Sequence, residues 1–235
     1  MTFQSRTYFL GLIVVVLLQF CAFTIAQEAT LTPPANKYFG REIATTMHFT
    51  GAPWLMRESR QREEDCEKLL GALKIKPGQT VCDLGCGNGF YTLKLARLVG
   101  PEGRVVAVDI QPEMLGMLRA AAEAKGIKNI ELILGTEVDP RMPAETFDLV
   151  LLVDVYHEFS QPAEMLAAIR QSLKPTGRIA LAEFREEDPT VPIKPLHKMS
   201  KRQILKEYKP NGYELVEVYD ELPWQHLMFF GRVEK

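Results

Sequence analysis

Three glycines close together mark the first segment of this chain that could do chemistry. Gly85, Gly87 and Gly89 follow the apolar run Thr80–Leu84 and precede a segment whose apolar residues have helical spacing. Glycines allow a tight turn and let the backbone approach a ligand that a side chain would exclude. Asp109 ends the next apolar run, 20 residues after Gly89, and an acid at that position can accept hydrogen bonds from both hydroxyls of a ribose. The pattern predicts a site for a nucleoside-containing cofactor.

Two classes of cofactor use such a loop, and residues within it favour one of them. The nicotinamide fingerprint G-x-G-x-x-G requires a third glycine at the position that Phe90 occupies. Asp83, two residues before the first glycine, would repel a pyrophosphate. The same carboxylate suits a ligand with a positive centre and an amino group, such as S-adenosylmethionine. The loop therefore favours S-adenosylmethionine.

Apolar runs alternate with helical segments along most of the chain. The run VVAV at residues 105–108 is typical of a strand buried on both faces of a parallel sheet. Strands that alternate with helices of about 10–15 residues indicate βαβ units. We expect an α/β fold with a doubly wound, mostly parallel seven-stranded sheet, helices on both faces and a C-terminal antiparallel hairpin. Strands are predicted at residues 80–84, 104–109, 130–134, 147–153, 178–184, 213–219 and 225–233, helices at 55–73, 90–99, 112–125, 162–173 and 200–208, and a turn at 174–177.

Four stretches resemble, in order, the motifs of the class I S-adenosylmethionine-dependent methyltransferases. They are DLGCGNG (83–89), VVAVDIQPEML (105–115), FDLVLLVDVYHEF (147–159) and LKPTGRIALAEF (173–184). The resemblance covers about residues 60–235 and implies the Rossmann-like fold of that family. Two further stretches, GAPWLMRESRQREE (51–64) and PIKPLHKMS (192–200), resemble a subgroup of bacterial methyltransferases with export signals, for which no particular substrate is implied.

The resemblance also implies which residues hold the cofactor. Asp83 and the backbone of residues 85–89, which include Cys86, would contact its methionyl end. Asp109 would accept the ribose hydroxyls, and Ile110 would flank the adenine.

The contact to the adenine amino group departs from the family pattern. The family usually has a Gly-Asp pair after the third strand, but Thr136 stands at the place of the acid. Glu137 or Asp139 is expected to substitute for it.

The loop after residues 147–153 lies where the family presents the methyl group. Transfer to oxygen or nitrogen needs an aligned nucleophile and often a base that takes its proton. His157, with an unperturbed pKa of about 6.5, is the candidate base, and Glu158 would orient it. Asp154 would contact the cofactor or the substrate. The alternative is that His157 only caps the next helix or packs against the cofactor.

Two other groups of residues could face the substrate. Arginine suits a carboxylate or phosphate, although Arg60 and Arg62 could equally belong to a solvated helix face. The two groups are Trp54, Arg57, Arg60 and Arg62 before the core domain, and residues 183–185 with His197 after it.

The first 26 residues are predicted to form a separate targeting segment. Arg6 is the only charged side chain among them, residues 9–18 are apolar, and Thr24 and Ala26 place small residues before Gln27. This is the order of a secretory signal peptide, and residues 8–26 are also long enough to span a bilayer as an uncleaved anchor. We expect export, to the periplasm or the extracellular space, or membrane anchoring. Residues 27–53 are predicted to be a linker and 54–235 the methyltransferase domain.

Charge and cysteine content restrict the partners. The 235 residues include 28 Lys and Arg and 30 Asp and Glu, a net charge of −2, which is not the basic character of a protein that binds duplex nucleic acid. We expect a small-molecule substrate and no nucleic acid, and the sequence predicts no oligomeric state.

Cys82 and Cys86 have C-x3-C spacing without a second pair, which is a weak zinc signal, so no metal is expected.

Three functions are open at this point. The favoured one is methyl transfer from S-adenosylmethionine to an unidentified small-molecule acceptor. The second is a nicotinamide-dependent oxidoreductase. The third is an exported protein that binds S-adenosylmethionine without catalysis, because this cofactor is made in the cytoplasm and an exported enzyme would need a supply of it.

Overall fold

The computed structural model describes residues 37–233. The predicted targeting segment, residues 1–26, and the first part of the predicted linker lie outside the described residues. Within the described part, no helix is both long and apolar enough to cross a bilayer.

Two short strands precede a seven-stranded sheet with its helices. The short strands are β1 (Lys37–Tyr38) and β2 (Arg41–Glu42). The sheet contains β3 (Thr80–Leu84), β4 (Arg104–Asp109), β5 (Ile130–Leu134), β6 (Phe147–Val153), β7 (Leu173–Phe184), β8 (Tyr213–Tyr219) and β9 (Gln225–Arg232). The helices are α1 (Ala52–Leu55), α2 (Arg60–Glu64), α3 (Cys66–Ala72), α4 (Thr92–Val99), α5 (Pro112–Ala124), α6 (Pro162–Ser172) and α7 (Lys201–Tyr208).

The strand order β5-β4-β3-β6-β7-β9-β8 confirms the predicted sheet. The first five strands are parallel to their neighbours, and β9 runs antiparallel to both β7 and β8. From the centre of the sheet, β3, β4 and β5 follow one another toward one edge, and β6 then lies on the other side of β3 and starts the second half. The order therefore reverses between β3 and β6, and ligands bind outside the carboxyl ends of the strands at such a point.

The sheet is buried on both faces because the interior positions of its central strands are mostly apolar. Val105 and Ala107 of β4 point to one face and Val106 and Val108 to the other, and all four are buried. One face packs against α3, α4 and α5, and the opposite face packs against α6 and α7. Helices on both faces are what the continuous apolar runs predicted.

The prediction of one helix over residues 55–73 is wrong, because α1 ends at Leu55 and the following residues form two separate helices, α2 and α3. Asp65 adopts a left-handed conformation with φ +49° between α2 and α3. Its Oδ1 accepts a hydrogen bond from the backbone N–H of Lys68 at 3.2 Å. A short acidic side chain tolerates this backbone and caps the next helix, so Asp65 ends one helix and starts another.

The predicted turn at residues 174–177 is part of β7 instead. The pairing of β7 with β6 shifts register between Phe147 and Leu149. Gly177 sits where a Cβ would be 2.4 Å from the carbonyl oxygen of Phe147. Glycine allows the two backbones to approach at this irregularity, so the strand begins earlier than the Pro-Thr-Gly sequence suggested.

Part of the predicted linker packs against the domain through a buried ion pair. The Arg41 guanidinium donates to both carboxylate oxygens of Glu207, at 2.8 and 3.0 Å, and Glu207 is fully buried. A third Arg41 hydrogen bond goes to the carbonyl oxygen of His157 at 3.0 Å. Residues 37–53 are thereby fixed against the loop that follows β6.

We expect Arg41→Ala to lower the free energy of unfolding by about 3–5 kcal/mol, because it leaves the buried Glu207 carboxylate without its counter-charge. Lys74→Ala is the matched control, since Lys74 pairs with Glu217 in solvent and such pairs contribute about 0–1 kcal/mol. Chemical denaturation of both variants measures the difference. Equal losses in the two variants would contradict the anchoring role of Arg41.

Candidate active site

A cavity of about 800 Å³ opens where the strand order reverses, at the carboxyl ends of β3, β4 and β6. One wall consists of the turns after β3, β4 and β5, and the other consists of the turns after β6 and β7. Residues from two segments outside the sheet, 45–55 and 192–197, also line it. The volume is in the range of about 300–1,000 Å³ that is usual for small-molecule sites.

Glycine conformations form the turn after β3. Gly85, Gly87 and Gly89 have φ values of +73°, +53° and +88°, a region that other residues rarely adopt. Gly85 and Gly87 line the cavity, whereas Gly89 lies behind it. A Cβ on Gly89 would be 2.2 Å from Cδ1 of Leu118, so Gly89 allows α5 to pack against the turn.

Asp109 connects the glycine turn to the end of β4. Its Oδ2 accepts a hydrogen bond from the Gly87 N–H and its Oδ1 accepts one from the Gln111 N–H, both at 2.9 Å. The side chain lines the cavity, and burial raises its pKa. Ile110, 36% exposed, lies beside it on the same wall. Asp109 and Ile110 therefore lie together, as a ribose and adenine site requires.

Asp83 and Cys86 lie behind the cavity wall rather than on it. Asp83 accepts a hydrogen bond from the Thr92 hydroxyl at 2.5 Å, which ties β3 to the start of α4. Burial raises the pKa of Asp83 to about 6. The Cys86 thiol is buried, 3.6 Å from the Gly87 carbonyl oxygen. In this structure both side chains support the glycine turn from behind.

Of the two acids predicted near the adenine, Glu137 lines the cavity and Asp139 does not. Glu137 Oε2 accepts a hydrogen bond from the Ser160 hydroxyl at 3.1 Å. The backbone N–H of Asp139 donates to Thr136 Oγ1 at 2.9 Å. The Thr136 hydroxyl thus shapes this turn, at the position where the family pattern has an acid.

Asp154 presents a buried, partly unsatisfied carboxylate to the cavity. Its backbone is left-handed, with φ +53°. Its Oδ2 accepts a hydrogen bond from Gln225 Nε2 at 2.7 Å, while its Oδ1 is buried without a hydrogen-bond partner among the described residues. Burial, with Glu64 and Glu183 nearby, raises the pKa of Asp154 well above its usual value. Strain and an unpaired oxygen together are typical of a ligand-binding position.

Glu183, not Glu158, orients His157. His157 Nδ1 lies 2.6 Å from Glu183 Oε2. An ionised carboxylate can only accept, so Nδ1 carries the proton and Nε2 of the neutral ring keeps its lone pair. Burial alone would lower the pKa of His157, but the Glu183 carboxylate outweighs it and the pKa is raised. Nε2 faces His197, with Nδ1 of that ring 3.0 Å away.

Glu158 completes a cluster with the two histidines. Its Oε1 lies 3.8 Å from His157 Nε2 and 3.7 Å from His197 Nδ1. The Met47 N–H donates to the same oxygen at 3.3 Å. Burial raises the pKa of Glu158 to about 7. Sequence spacing places His157 next to Glu158 but gives no sign that His197, 40 residues on, joins them.

Two of the arginines expected to meet an acidic substrate, Arg57 and Arg60, are already paired, whereas Arg62 is exposed. Arg60 donates to Glu64 Oε2 at 2.7 Å, and Arg57 donates to Glu63 and Glu64, also at 2.7 Å. Arg57 also lies over the ring of Trp54, 3.6 Å from its centroid. Arg60 lines the cavity, but Glu64 neutralises its charge.

The cavity wall carries more acid than base. Because Glu64 neutralises Arg60, the Lys194 ammonium is the only unpaired permanent cation among the described residues that line it. A negative, partly buried cavity favours a positively charged ligand. The acids on the wall are Asp109, Glu137, Asp154 and Glu158.

We expect Asp83→Asn to change how stability depends on pH. Folding raises the pKa of Asp83 to about 6, so the folded protein holds this proton more tightly than the unfolded chain. The contribution of this proton to the free energy of unfolding is present at about pH 4 and is lost as the pH rises through about 6. The variant should therefore be more stable than the wild type at pH 8, by up to about 3 kcal/mol, with a smaller difference at pH 4. Urea denaturation between these limits measures it, and parallel profiles of the two proteins would contradict this account.

Comparisons with known proteins agree with the fold and the site. A family model described as a methyltransferase domain matches residues 75–226. The solved structure of a SAM-dependent methyltransferase from Aquifex aeolicus superposes with a TM-score of 0.74 at 26% identity, over 79% of this chain and 98% of that one.

Two curated relatives are also methyltransferases. The nocamycin O-methyltransferase of Saccharothrix syringae is 34% identical over 114 residues, 48% of this chain and 41% of that protein. The ubiquinone/menaquinone biosynthesis C-methyltransferase UbiE of a Marinomonas species is 30% identical over 160 residues, 68% of this chain and 55% of that protein. The matches span about half the length of these relatives. The resemblance to class I S-adenosylmethionine-dependent methyltransferases is confirmed, and the chain belongs to the methyltransferase domain family.

Proposed function

We propose that this protein transfers the methyl group of S-adenosylmethionine to a small-molecule acceptor that reacts through a protonated oxygen or nitrogen. One observation carries the proposal: a single cavity has a cofactor-type wall around Asp109 and, on its other side, a cluster of imidazoles and carboxylates around His157. Membership of the methyltransferase family stands against the nicotinamide-dependent alternative, as does Phe90 in the loop.

The residues of the first wall fit this cofactor. Asp109 is at the end of β4, where its carboxylate can accept the ribose hydroxyls while it keeps the Gly87 N–H bond. Ile110 and Glu137 lie where the adenine would be flanked and its amino group met. Across the cavity, Asp154 Oδ1 lacks a partner and suits the ammonium group of the methionyl end.

Charge supports the same cofactor. When bound, S-adenosylmethionine supplies an electrophilic methyl group on a positively charged sulfur. The excess of carboxylates on the cavity wall attracts that charge, and burial strengthens the attraction because water screens it less. The acids with raised pKa values, Asp109 and Asp154 among them, gain a counter-charge when such a ligand binds.

The acceptor's surroundings are mostly apolar. Met47, Trp54 and Leu55 line the cavity from the N-terminal segment, and Ile193 and Leu196 line it from the segment after β7. A cavity of about 800 Å³ that must hold cofactor and acceptor together leaves room for a compact, apolar molecule. We propose that its protic group points at the imidazole–carboxylate cluster.

The chain's contribution to methyl transfer is to orient the acceptor and remove its proton. Glu183 fixes the His157 ring so that Nε2, with its lone pair, faces His197 and Glu158. The Arg41 bond to the His157 carbonyl oxygen holds the same loop from outside. The cluster is therefore rigid, as a site that positions a nucleophile must be.

We expect Asp109→Ala to weaken S-adenosylmethionine binding by about 1.5–3 kcal/mol, the usual contribution of hydrogen bonds to a charged group. Asp148→Ala is the matched control. Asp148 also accepts a hydrogen bond from a backbone N–H, that of Thr80 at 2.9 Å. It lies near the amino end of β6, whereas the cavity is at the carboxyl ends of the strands. Calorimetric titration of both folded variants measures the effect. Wild-type affinity in Asp109→Ala would remove Asp109 from the cofactor site.

We expect His157→Ala to lower turnover by about 10²–10⁴-fold, the range for loss of assisted proton removal, while S-adenosylmethionine affinity stays within about threefold. His226→Ala is the control, because His226 is also buried but bonds the Met199 carbonyl oxygen away from the cavity. Transfer of labelled methyl groups to a panel of phenolic and related acceptors provides the assay. A turnover loss below about fivefold would assign His157 a packing role.

A further inference from the structure

Three potential metal ligands from two separate segments meet inside the cavity. His157 Nε2 and His197 Nδ1 are 3.0 Å apart, and Glu158 Oε1 lies 3.8 and 3.7 Å from them. All three residues line the cavity, and they meet the spacing of a metal-binding group. We propose that His157, Glu158 and His197 bind a zinc ion.

The distances between the three ligand atoms are close to those of a tetrahedral zinc site. Zinc takes imidazole nitrogen and carboxylate oxygen at about 2.0–2.2 Å, which places tetrahedral ligand atoms about 3.3–3.5 Å from one another. The three observed separations, 3.0, 3.7 and 3.8 Å, bracket that value. Shifts of the ligand atoms by a few tenths of an ångström would complete the geometry. His197 would also have to carry its proton on Nε2 rather than on Nδ1, so that Nδ1 can bind the ion.

The surroundings of the cluster fit a bound metal cation. Glu183 binds His157 Nδ1 at 2.6 Å, the carboxylate–histidine contact that orients metal-binding imidazoles and makes them better donors. The Met47 N–H bond fixes Glu158 Oε1. Glu183 and Glu158 together supply two negative charges to balance those of a divalent ion.

Three protein ligands leave one tetrahedral position open toward the cavity. Zinc sites with this ligand count, two histidines and a glutamate, are typical of catalysis rather than structure. This role rests on the proposed methyl transfer, whereas zinc binding itself does not. A hydroxyl of the acceptor that occupies the open position would lose its proton to solvent water at neutral pH, because the ion stabilises the oxygen anion. With zinc bound, His157 acts as a ligand instead of as the base that removes the proton, and the anion is the nucleophile.

Metal binding is tested on the full-length chain. After dialysis against a chelator, the protein is titrated with Zn²⁺ by calorimetry, and we expect one equivalent to bind. Substitution with Co²⁺ should give the intense visible absorption of tetrahedral nitrogen and oxygen ligation. Mg²⁺, which prefers six oxygen ligands, should not compete. The absence of saturable binding, or a Co²⁺ spectrum like that of the hydrated ion, would overturn the proposal.

Variants locate the site. His197→Ala and Glu158→Gln should each weaken Zn²⁺ binding at least 10-fold and abolish the tetrahedral Co²⁺ spectrum. Glu183→Gln, which keeps all three ligands, should weaken binding by about 10–100-fold. His48→Ala is the control, since the His48 side chain is exposed and hydrogen-bonds the neighbouring Thr50. Wild-type affinity in His197→Ala would overturn the assignment, and wild-type affinity in Glu183→Gln would overturn the positioning role of Glu183.

Titration of the metal-free chain with S-adenosylmethionine separates the two proposals. Cofactor binding without a zinc site would overturn the zinc proposal and leave the methyltransferase function in place. A zinc site in a chain that fails to bind the cofactor would overturn the proposed function instead.

Discussion

The buried contact between Glu183 and His157 connects the parts of this molecule that matter for function. Glu183 is the penultimate residue of β7 and His157 lies in the turn after β6, so the 2.6 Å contact joins two neighbouring strands at their carboxyl ends. It fixes which nitrogen of His157 faces the cavity, and Arg41 holds the same turn from the N-terminal segment. The parallel sheet supplies the rigidity that keeps these groups in register.

Electrostatics gives the cavity its chemical character. Four carboxylates from three different turns converge on it, and burial raises the pKa values of Asp109, Asp154 and Glu158. Ionised acids buried so close together are unfavourable, so these groups either hold protons or gain a positive ligand. A sulfonium cofactor on one wall and a divalent ion on the other would each be such a ligand, which explains how one cavity can serve both proposals.

Much of the fold could be predicted from the sequence, because apolar periodicity and glycine position are local signals. The strands, their mostly parallel arrangement and the place of Asp109 at a strand end follow from them. The sequence does not predict the helix break at Asp65, because an acid within a charged helical segment is also typical of a solvent-exposed helix position. Glu183 as the partner of His157, Gln225 as the partner of Asp154, and the approach of His197 depend on strand order and on the path of residues 185–199. No sequence-spacing rule predicts contacts between residues so far apart in the chain. The sequence therefore does not predict the cluster of His157, Glu158 and His197.

The central claim is that the cavity is built for S-adenosylmethionine, and calorimetric titration of the full-length chain with three ligands tests it most directly. S-adenosylmethionine and S-adenosylhomocysteine should each bind one to one, with the methylated form favoured because its sulfur is positively charged. NAD should not bind, since Phe90 replaces the third glycine of the nicotinamide fingerprint, which that fold needs for close packing of the helix on the strand. Binding of NAD, or failure to bind either adenosyl ligand, would contradict the account.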